Sequence, residues 1–276
     1  MKVTLITVCF NSAATLSTAI DSVLSQKGVD VEYIIVDGGS KDGTVEIIKE
    51  YAEKTLNSQL LTPNFTFRWL SESDQGMYDA INKGIKMATG DVVGILNADD
   101  VLASDDTLAH IVSAFNTDSY PLAPDSSRID AVYADIRFVK EGETVEAVRK
   151  AETVRYCSAK RWRPWMFRFA AMVPHPSFYV RRECFERLGG YSLDYRICAD
   201  FELELRYLYL AKLKAAYLPE CVVVMRMGGM STSGWRSNLV INREDLRALR
   251  SHGIWSCMPL IYLKYLFKVW GFVFRG

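Results

Sequence analysis

The first hundred residues alternate between short apolar runs rich in β-branched side chains and longer segments with the periodicity of a helix. The apolar runs occupy residues 3–10, 31–37, 65–71 and 92–96. Between them, apolar residues recur on one helical face, as Leu16, Ile20 and Val23 do after the first run. This alternation predicts βαβ units and therefore an α/β fold with a mostly parallel central sheet flanked by helices.

The second half of the sequence is less regular. From about residue 104 it predicts a helix, a strand at 131–139 and a hairpin partner for that strand at 144–149. An aromatic-rich stretch at 156–169 then precedes a helix at 200–213. No linker rich in Pro, Gly or Ser and no internal repeat separates the halves, which favours one continuous domain.

The composition excludes several classes of protein. The 276 residues are 49% hydrophobic and 24% charged, as in an ordinary globular protein, and 33 basic residues balance 33 acidic ones. Without net positive charge we expect no nucleic-acid partner. The six cysteines form no C-x-x-C pair, which favours free thiols. Because the chain opens on a strand rather than a secretion signal, we expect a reducing, cytoplasmic location.

Acidic residues and glycines collect where the apolar runs end, at residues 37–40, 72–76 and 97–100. The carboxyl ends of parallel strands face one crevice, where ligands bind in open α/β sheets. Turn formation alone would explain one such cluster but explains three successive ones poorly. The clusters therefore predict a binding site at this edge of the sheet.

The first glycine loop matches neither common phosphate-binding motif. Ser40 occupies the place of the second glycine of a dinucleotide fingerprint, and Thr44 stands where a Walker loop requires lysine. The adjacent carboxylates of Asp99 and Asp100 can instead bind a hard divalent cation that bridges phosphate oxygens. We therefore expect Mg²⁺ or Mn²⁺ to assist in binding a diphosphate.

Segments 3–11, 36–44 and 71–84 resemble the inverting family 2 glycosyltransferases of GT-A fold. The likeness continues through Leu96-Asn97-Ala98-Asp99-Asp100, His175-Pro176 and Ala199-Asp200, to about residue 232. It looks closest to bacterial enzymes of exopolysaccharide, capsule and O-antigen synthesis, including the colanic-acid type. The resemblance implies a Rossmann-like sheet with a small antiparallel element, in a glycosyltransferase domain whose parts are a nucleotide-binding half at 1–103, an acceptor-binding half at 104–232 and a C-terminal helical extension at 233–276.

Carried over residue by residue, the resemblance implies a binding site for a nucleotide-sugar donor, with a UDP-sugar favoured. Asp37 would contact the base, because a carboxylate can accept the imide hydrogen of uracil or thymine, and Asp74 would touch the ribose or the sugar. Lys83 would either pair with phosphate or lie solvated on a helix. The implied donor-binding residues are Thr7, Val8, Cys9, Asn11, Asp37, Gly39, Asp74, Lys83, Asn97, Ala98 and Asp99.

The family often carries Asp-x-Asp where this chain has Asn97-Ala98-Asp99. By position Asp99 would be the direct metal ligand, and Asn97 would face the ribose. Asp100 would be a second metal ligand or a cap for the following helix. The substitution of the first acid by an amide removes one carboxylate from the expected metal site.

Asp200 matches the catalytic base of the family. An inverting displacement needs a carboxylate that takes the proton from the attacking acceptor hydroxyl. The alternatives are that Asp200 only caps a helix, or that Glu202 is the base. His175 would contact phosphate or acceptor, or be locked in a turn, and Arg226 with the turn at 228–231 would close over the diphosphate.

Two apolar segments suggest contacts beyond the donor. The aromatic and basic residues of 156–169 fit an acceptor-binding or membrane-facing surface, or packing in the core. Segment 259–274 is apolar except for Lys264 and Lys268, which share a helical face. It is shorter than the roughly 20 residues of a membrane span. We expect an amphipathic helix lying in the membrane surface through a positive stripe, or packing on protein.

These observations predict a metal-assisted, inverting glycosyltransferase of cell-surface polysaccharide biosynthesis. Its acceptor would be a glycan or a polyprenyl-diphosphate-linked oligosaccharide, with peripheral association at the cytoplasmic face of the inner membrane. One alternative is a nucleotidyltransferase that forms nucleotide sugars, although such an enzyme would carry a glycine-rich, basic loop after the first strand. The other alternative is a non-catalytic homologue that binds nucleotide sugar.

Overall fold

The computed structural model describes residues 1–57, 64–116, 128–227 and 234–273. Within these residues, nine strands form one sheet in the order β3-β2-β1-β4-β8-β6-β9-β5, and β7 pairs with β6. The strands are β1 (Lys2–Cys9), β2 (Asp30–Asp37), β3 (Phe65–Ser71), β4 (Val92–Ile95), β5 (Val101–Leu102), β6 (Ala131–Val139), β7 (Arg155–Cys157), β8 (Tyr179–Arg181) and β9 (Ala215–Arg226).

Helices cover the sheet and form the C-terminal part of the chain. They are α1 (Leu16–Leu24), α2 (Thr44–Asn57), α3 (Met77–Met87), α4 (Thr107–Ala114), α5 (Val145–Lys150), α6 (Arg182–Leu188), α7 (Ala199–Glu204), α8 (Gly234–Ser251) and α9 (Met258–Val273). Short 3₁₀ helices lie at Pro164–Phe169 and His175–Ser177, and a π-helical turn at Leu205–Leu210 follows α7.

The strands β3, β2, β1 and β4 are parallel, as the alternation in the sequence predicts. Side chains of β1 alternate between two cores, with Ile6 and Val8 in one and Leu5 and Cys9 in the other, so both faces of the strand are buried. The register pairs Cys9 with Asp37 and Asp37 with Ser71. The carboxyl ends of these strands therefore form one edge.

The sheet changes direction after β4. Strand β8 runs antiparallel to both β4 and β6, whereas β9 runs parallel to β6. The prediction of a hairpin partner at 144–149 is wrong, because this segment is α5, whose N-cap Thr144 accepts a hydrogen bond from the Ala147 N–H at 3.2 Å. The antiparallel partner of β6 on that side is β7.

The C-terminal helices pack on the rest of the domain. Helix α8 packs against α7, and α9 packs against α8 and the 3₁₀ helix Pro164–Phe169. Lys264 on α9 forms a buried ion pair with Asp245 on α8, with 2.7 Å between Nζ and Oδ2. Of the two alternatives for segment 259–274, the described residues show packing on protein, and the buried Lys264 is not part of a positive stripe at the surface. Lys268 has no described side chain. None of the described helices combines the length and the apolar character that crossing a membrane requires.

Candidate active site

A cleft of about 3300 Å³ opens where the strands of the parallel half end and faces the β6–β9 half of the sheet. Its wall includes eight predicted site residues, Val8, Cys9, Asn11, Asp74, Asn97, Ala98, Asp99 and Asp200. The other five predicted residues, Thr7, Asp37, Gly39, Lys83 and Asp100, lie outside this wall. The structure therefore brings the acid after β4 and the acid at the start of α7 to one cleft, although they are a hundred residues apart.

The loops after β1 and β2 are held together by side-chain hydrogen bonds. Asn11 adopts a left-handed backbone conformation with φ 51°, which asparagine tolerates better than most residues. Its N–H donates to Ser40 Oγ at 2.7 Å, and its Oδ1 accepts from the Lys41 N–H at 3.0 Å. Asn11 thus links the end of the first strand to the glycine loop after the second.

Asp37 is fully buried and organises the strand ends. Its carboxylate accepts hydrogen bonds from the N–H groups of Gly39 and Ser40, both at 3.1 Å, and from Ser71 Oγ at 2.7 Å. Burial would raise the pKa of Asp37, but hydrogen bonds from Ser40 and Ser71 outweigh it and hold the pKa below its usual value. The buried Thr7 similarly accepts a hydrogen bond from Tyr33 at 2.9 Å. Contacts of Asp37 and Thr7 with a nucleoside stay predictions.

Asp74 reaches back over the glycine loop. A Cβ atom on Gly38 would lie 2.5 Å from Asp74 Oδ2, so the approach of this carboxylate requires glycine at that position. Lys83 does not lie solvated on α3, and its pairing with phosphate stays a prediction. Its Nζ pairs with Glu72 at 2.8 Å and donates to the Ser73 carbonyl at 3.1 Å, which ties the ammonium group to the loop after β3.

The acid pair after β4 differs in exposure. Asp99 is half-buried in the cleft wall, and burial raises its pKa. Asp100 is fully buried behind it, where Oδ2 accepts from Asn97 Nδ2 at 2.7 Å and Oδ1 has no hydrogen-bond partner among the described residues. Burial, followed by the charge of Asp99, raises the pKa of Asp100 well above its usual value.

Arg226 neutralises only part of this negative charge. Its Nη1 donates to the Asp99 carbonyl at 2.6 Å and its Nη2 to the Gly142 carbonyl at 2.9 Å, so the guanidinium is bound to backbone. The turn at 228–231, expected to close over a diphosphate, lies outside the described residues.

The half-buried carboxylate of Asp99 and the fully buried one of Asp100, with its unpaired oxygen, suit a divalent cation. The described part of the chain contains no group of three or more His, Cys, Asp or Glu side chains arranged to hold a metal. Such a cation would therefore depend on oxygens from a bound ligand, as Mg²⁺ does when it is held by one or two carboxylates and substrate phosphates.

Asp200 is the second residue of α7 and faces the cleft. The N-cap is Cys198, so the interpretation of Asp200 as the cap is wrong. Asp200 Oδ1 accepts from the Phe201 N–H at 2.8 Å and lies 3.2 Å from the Tyr78 hydroxyl. Burial raises the pKa of Asp200 to about 6. A carboxylate with such a pKa is ionised at neutral pH yet is a stronger base than an ordinary aspartate.

Glu202 is occupied elsewhere. Its carboxylate pairs with Arg206 Nη2 at 2.9 Å and lies 2.8 Å from His252 Nε2, and its side chain is only 5% exposed. Although burial opposes it, hydrogen bonding to Arg206 keeps the pKa of Glu202 below its usual value. The geometry thus favours Asp200 over Glu202 as the base.

Two supporting residues escaped the sequence analysis. The Tyr78 hydroxyl lies between the Ile197 carbonyl and Asp200 Oδ1 and shares its one proton between these two acceptors, so one side chain contacts both Asp200 and the turn before it. Glu244 on α8 accepts from the N–H groups of Ile197 at 2.9 Å and Cys198 at 3.1 Å. No local motif marks either residue, because both act on a segment far away in sequence.

The opposite wall of the cleft carries aromatic and polar side chains. Asp135 accepts from the hydroxyls of Tyr217 at 2.9 Å and Tyr156 at 3.0 Å. Trp162 is buried, as core packing predicts, whereas Trp165 is 54% exposed. His175 also lies in the cleft wall, where Nε2 is 3.1 Å from the Tyr191 hydroxyl and Nδ1, without a hydrogen bond among the described residues, is 3.6 Å from the buried carboxylate of Glu204.

Residues 4–128 match the model of the family described as Glycosyl transferase family 2. The chain is 30% identical over 239 residues to a "PGL/p-HBAD biosynthesis glycosyltransferase" of Mycobacterium tuberculosis, which covers 87% of this chain and 80% of the relative. It is 29% identical over 230 residues to an uncharacterized glycosyltransferase of a Nostoc species, covering 83% of this chain and 66% of that protein.

Two solved structures have a similar fold. A mannosyltransferase from Pyrobaculum calidifontis, in complex with GDP-Man and Mn²⁺, matches with a TM-score of 0.62 and 22% identity over 95% of this chain and 68% of its own. TarS 1–349 of S. aureus, in complex with UDP-GlcNAc, matches with a TM-score of 0.62 and 17% identity over 90% of this chain. The chain spans 66% of that TarS chain, slightly less than two thirds.

Proposed function

Because the chain belongs to glycosyl transferase family 2 and has the GT-A fold, we propose that it transfers a sugar from a nucleotide-sugar donor to an acceptor hydroxyl, with inversion at the anomeric carbon. The observation that carries this proposal is the meeting of Asp99 and Asp200 in one cleft. Asp99 would act near the diphosphate of the donor. Asp200, with a pKa of about 6, would remove the proton from the acceptor hydroxyl.

The donor is a UDP-sugar in this proposal. The TarS complex with UDP-GlcNAc and the mannosyltransferase complex with GDP-Man support a nucleotide sugar as the ligand of this cleft. Val8, Cys9 and Asn11 would contact the nucleoside, Asp74 the ribose or sugar, and Phe10, an aromatic ring 65% exposed in the cleft wall, offers a face on which a base can stack.

Asp99 would hold a divalent metal, with Asp100 behind it. When bound, Mg²⁺ or Mn²⁺ stabilises the charge that develops on the departing nucleoside diphosphate. The Mn²⁺ in the mannosyltransferase complex supports this assignment. The unpaired Oδ1 of Asp100 and the raised pKa of Asp99 fit a site that gains stability when a cation neutralises it.

The chain's own residues supply the base and its orientation. Asp200 accepts the proton of the acceptor hydroxyl as that oxygen attacks the anomeric carbon from the face opposite the diphosphate. The Phe201 N–H and the Tyr78 hydroxyl orient the carboxylate, and Glu244 holds the preceding turn. The aromatic wall around Tyr156 would bind the acceptor sugar.

We further propose that the acceptor is a glycan or a lipid-linked oligosaccharide of cell-surface polysaccharide biosynthesis. This proposal is supported by the relatives named as glycosyltransferases of PGL/p-HBAD biosynthesis, because that name assigns them to a biosynthetic pathway.

A donor screen tests the proposal. Purified protein with Mn²⁺ would be offered UDP-, GDP- and dTDP-sugars, with released nucleoside diphosphate as the readout and UDP binding measured by calorimetry. We expect one donor to be hydrolysed slowly and both Asp99→Ala and Asp200→Ala to abolish release. Glu50→Ala, which changes an exposed acid on α2, is the matched control. Absence of binding to every nucleoside diphosphate, with and without metal, would refute the proposal.

A further inference from the structure

The aromatic-rich stretch and the loop before α9 are in contact, and each exposes a tryptophan ring. Ser256 Oγ donates to the Arg168 carbonyl at 2.8 Å, which joins the loop to the end of the 3₁₀ helix Pro164–Phe169. Trp255 is 76% exposed and Trp165 is 54% exposed. Together with the exposed basic residues beside them, they form a set that we call the basic-aromatic face: Lys160, Arg161, Arg163, Trp165, Arg168 and Trp255.

The charge of this face is not balanced. Four of its six residues are basic, Lys160, Arg161, Arg163 and Arg168, and the sequence contains neither Asp nor Glu between residues 153 and 182, although the whole chain has zero net charge. Among the described residues, Lys160, Arg161 and Arg168 form no ion pair with an acid. Arg163 donates to the carbonyls of Lys160 and Trp162, which orients its guanidinium without neutralising it.

The face combines exposed indole rings with positive charges, and an anionic membrane surface can bind both. Indole rings are favourable at the level of lipid headgroups, where one edge is polar and the ring is apolar. Lysine and arginine are attracted to anionic headgroups within about one Debye length, roughly 10 Å. A soluble polyanion would satisfy the cations but would leave Trp255 exposed to water, since this ring lies outside the cleft wall.

The face also borders the cleft. Lys160, Arg161 and Trp165 belong both to the face and to the cleft wall that contains Asp200. Helix α9 packs under the face against the 3₁₀ helix, and its Lys264 is buried with Asp245, so the charge for surface binding comes from the face and not from that lysine.

We propose that the basic-aromatic face binds the surface of an anionic bilayer and thereby holds the cleft against it. The inference rests on the proposed function in one respect: a lipid-linked acceptor held in that bilayer would enter the cleft past Lys160 and Trp165. The binding of the bilayer itself needs neither donor nor metal.

Cosedimentation with vesicles tests the proposal on the full chain. The probes are vesicles of phosphatidylcholine alone and of phosphatidylcholine with phosphatidylglycerol. We expect binding to the anionic vesicles only, released by high salt. The triple variant Arg163→Gln, Arg168→Gln and Trp255→Ala, which changes only residues outside the cleft wall, should bind about tenfold more weakly or worse.

The matched control is a triple variant that also removes two positive charges and one large apolar side chain, but on α2 and α3. Lys49→Gln, Lys86→Gln and Leu56→Ala alter exposed residues on α2 and α3 and should leave vesicle binding unchanged. Equal vesicle binding by the triple variant and the unchanged protein would overturn the proposal. So would retention on a soluble anionic oligosaccharide that depends on the same residues, without binding to vesicles.

Calorimetry with UDP on the same preparations separates this proposal from the proposed function. Unchanged UDP binding in the triple variant shows that the protein is folded. If UDP binds and vesicles do not, the membrane proposal alone fails. If vesicles bind and no nucleoside diphosphate does, the proposed function alone fails.

Discussion

Three of the six residues of α7 are acids, and each has different hydrogen-bond partners and a different pKa. Asp200 faces the cleft and has a pKa of about 6 because it is buried. Glu202 is paired with Arg206 and His252. Glu204 is fully buried beside His175, and burial raises its pKa to about 7. At the scale of single residues, then, the partner rather than the residue type decides which carboxylate is available as a base.

The pKa of Asp200 predicts the pH dependence of transfer. A base must be ionised, so activity should be low when the pH is below about 6, rise as the pH passes through it, and be level above it. Initial rates of nucleoside diphosphate release between about pH 5 and 8 check this. Asp200→Asn should lower kcat by about 10²-fold or more. A wild-type rate that is level over the whole range would contradict the assignment.

Removal of the Tyr78 hydroxyl should shift the pH profile of activity and lower kcat less than the loss of Asp200 does. Its hydrogen bond to Asp200 lowers the pKa of that carboxyl, against the larger effect of burial. Tyr78→Phe keeps the ring that stacks on Tyr191, so the protein should fold. The pH at which activity rises should then shift upward, and kcat should fall about tenfold, with KM for the donor little changed. An unshifted pH profile would mean that Tyr78 has only a structural role.

At the scale of elements, helix α8 packs on the helix that carries Asp200, and α9 packs on α8. Helix α8 supplies Glu244, which binds the turn before α7, and α9 is attached to α8 by the ion pair of Lys264 and Asp245. Helix α7 and the π-helical turn that continues it span residues 199–210, and a helix of this length has little stability of its own because helix nucleation is unfavourable. Its position therefore depends on the helices that pack against it.

Removal of the Glu244 carboxylate tests this dependence. Glu244→Ala leaves the N–H groups of Ile197 and Cys198 without their acceptor, so the turn that carries Asp200 should loosen. We expect a fall in kcat of about tenfold and unchanged affinity for UDP. Arg243→Ala, an exposed change on the same helix, is the control. Equal loss of UDP affinity and kcat would point to general unfolding instead.

The buried pair of Lys264 and Asp245 predicts an asymmetric response to substitution. Lys264→Met leaves Asp245 charged and buried without its partner, and should lower the free energy of unfolding by about 3–5 kcal/mol. The double variant Lys264→Met with Asp245→Leu removes both charges and should recover most of that loss. Denaturant unfolding of both variants measures the difference. A single variant as stable as the unchanged protein would show that the pair contributes nothing.

At the scale of the whole molecule, the sheet collects residues from distant parts of the chain. Parallel strands bring the ends of β1, β2 and β3 to one edge, and the change of direction at β8 places the aromatic wall opposite that edge. The cleft therefore has an acidic side that suits a metal and a diphosphate, and an aromatic side that suits a sugar. The proposed transfer between two substrates would use both sides.

Metal removal tests the acidic side of the cleft. Chelation should weaken the binding of UDP by about tenfold or more, and added Mn²⁺ should restore it, because the donor phosphates and Asp99 would share the ion. Calorimetric titration of UDP before and after chelation measures the effect. Asp99→Asn should bind UDP with an affinity that no longer responds to Mn²⁺. The same UDP affinity with and without metal in the unchanged protein would refute a metal role in donor binding.

Much of the fold and part of the site could be predicted from local patterns. Strands β1 to β4 lie where apolar β-branched runs occur, and the glycines and acids that follow them line or support the cleft. Segment 144–149 was mispredicted as a strand because its six residues contain two valines and are too short for a helical period to be distinct.

The sequence by itself determined the α/β class, the positions of the first four strands and the family, and it predicts ligand binding at the carboxyl ends of these strands, since these depend on residue types at short spacing. Only the tertiary structure decided that Asp200 rather than Glu202 faces the cleft, that Tyr78 and Glu244 support it, and that Lys264 is buried. The physical reason is that burial and hydrogen-bond partners are set by contacts between segments far apart in the chain, and these contacts determine the pKa of an acid and the availability of a charge.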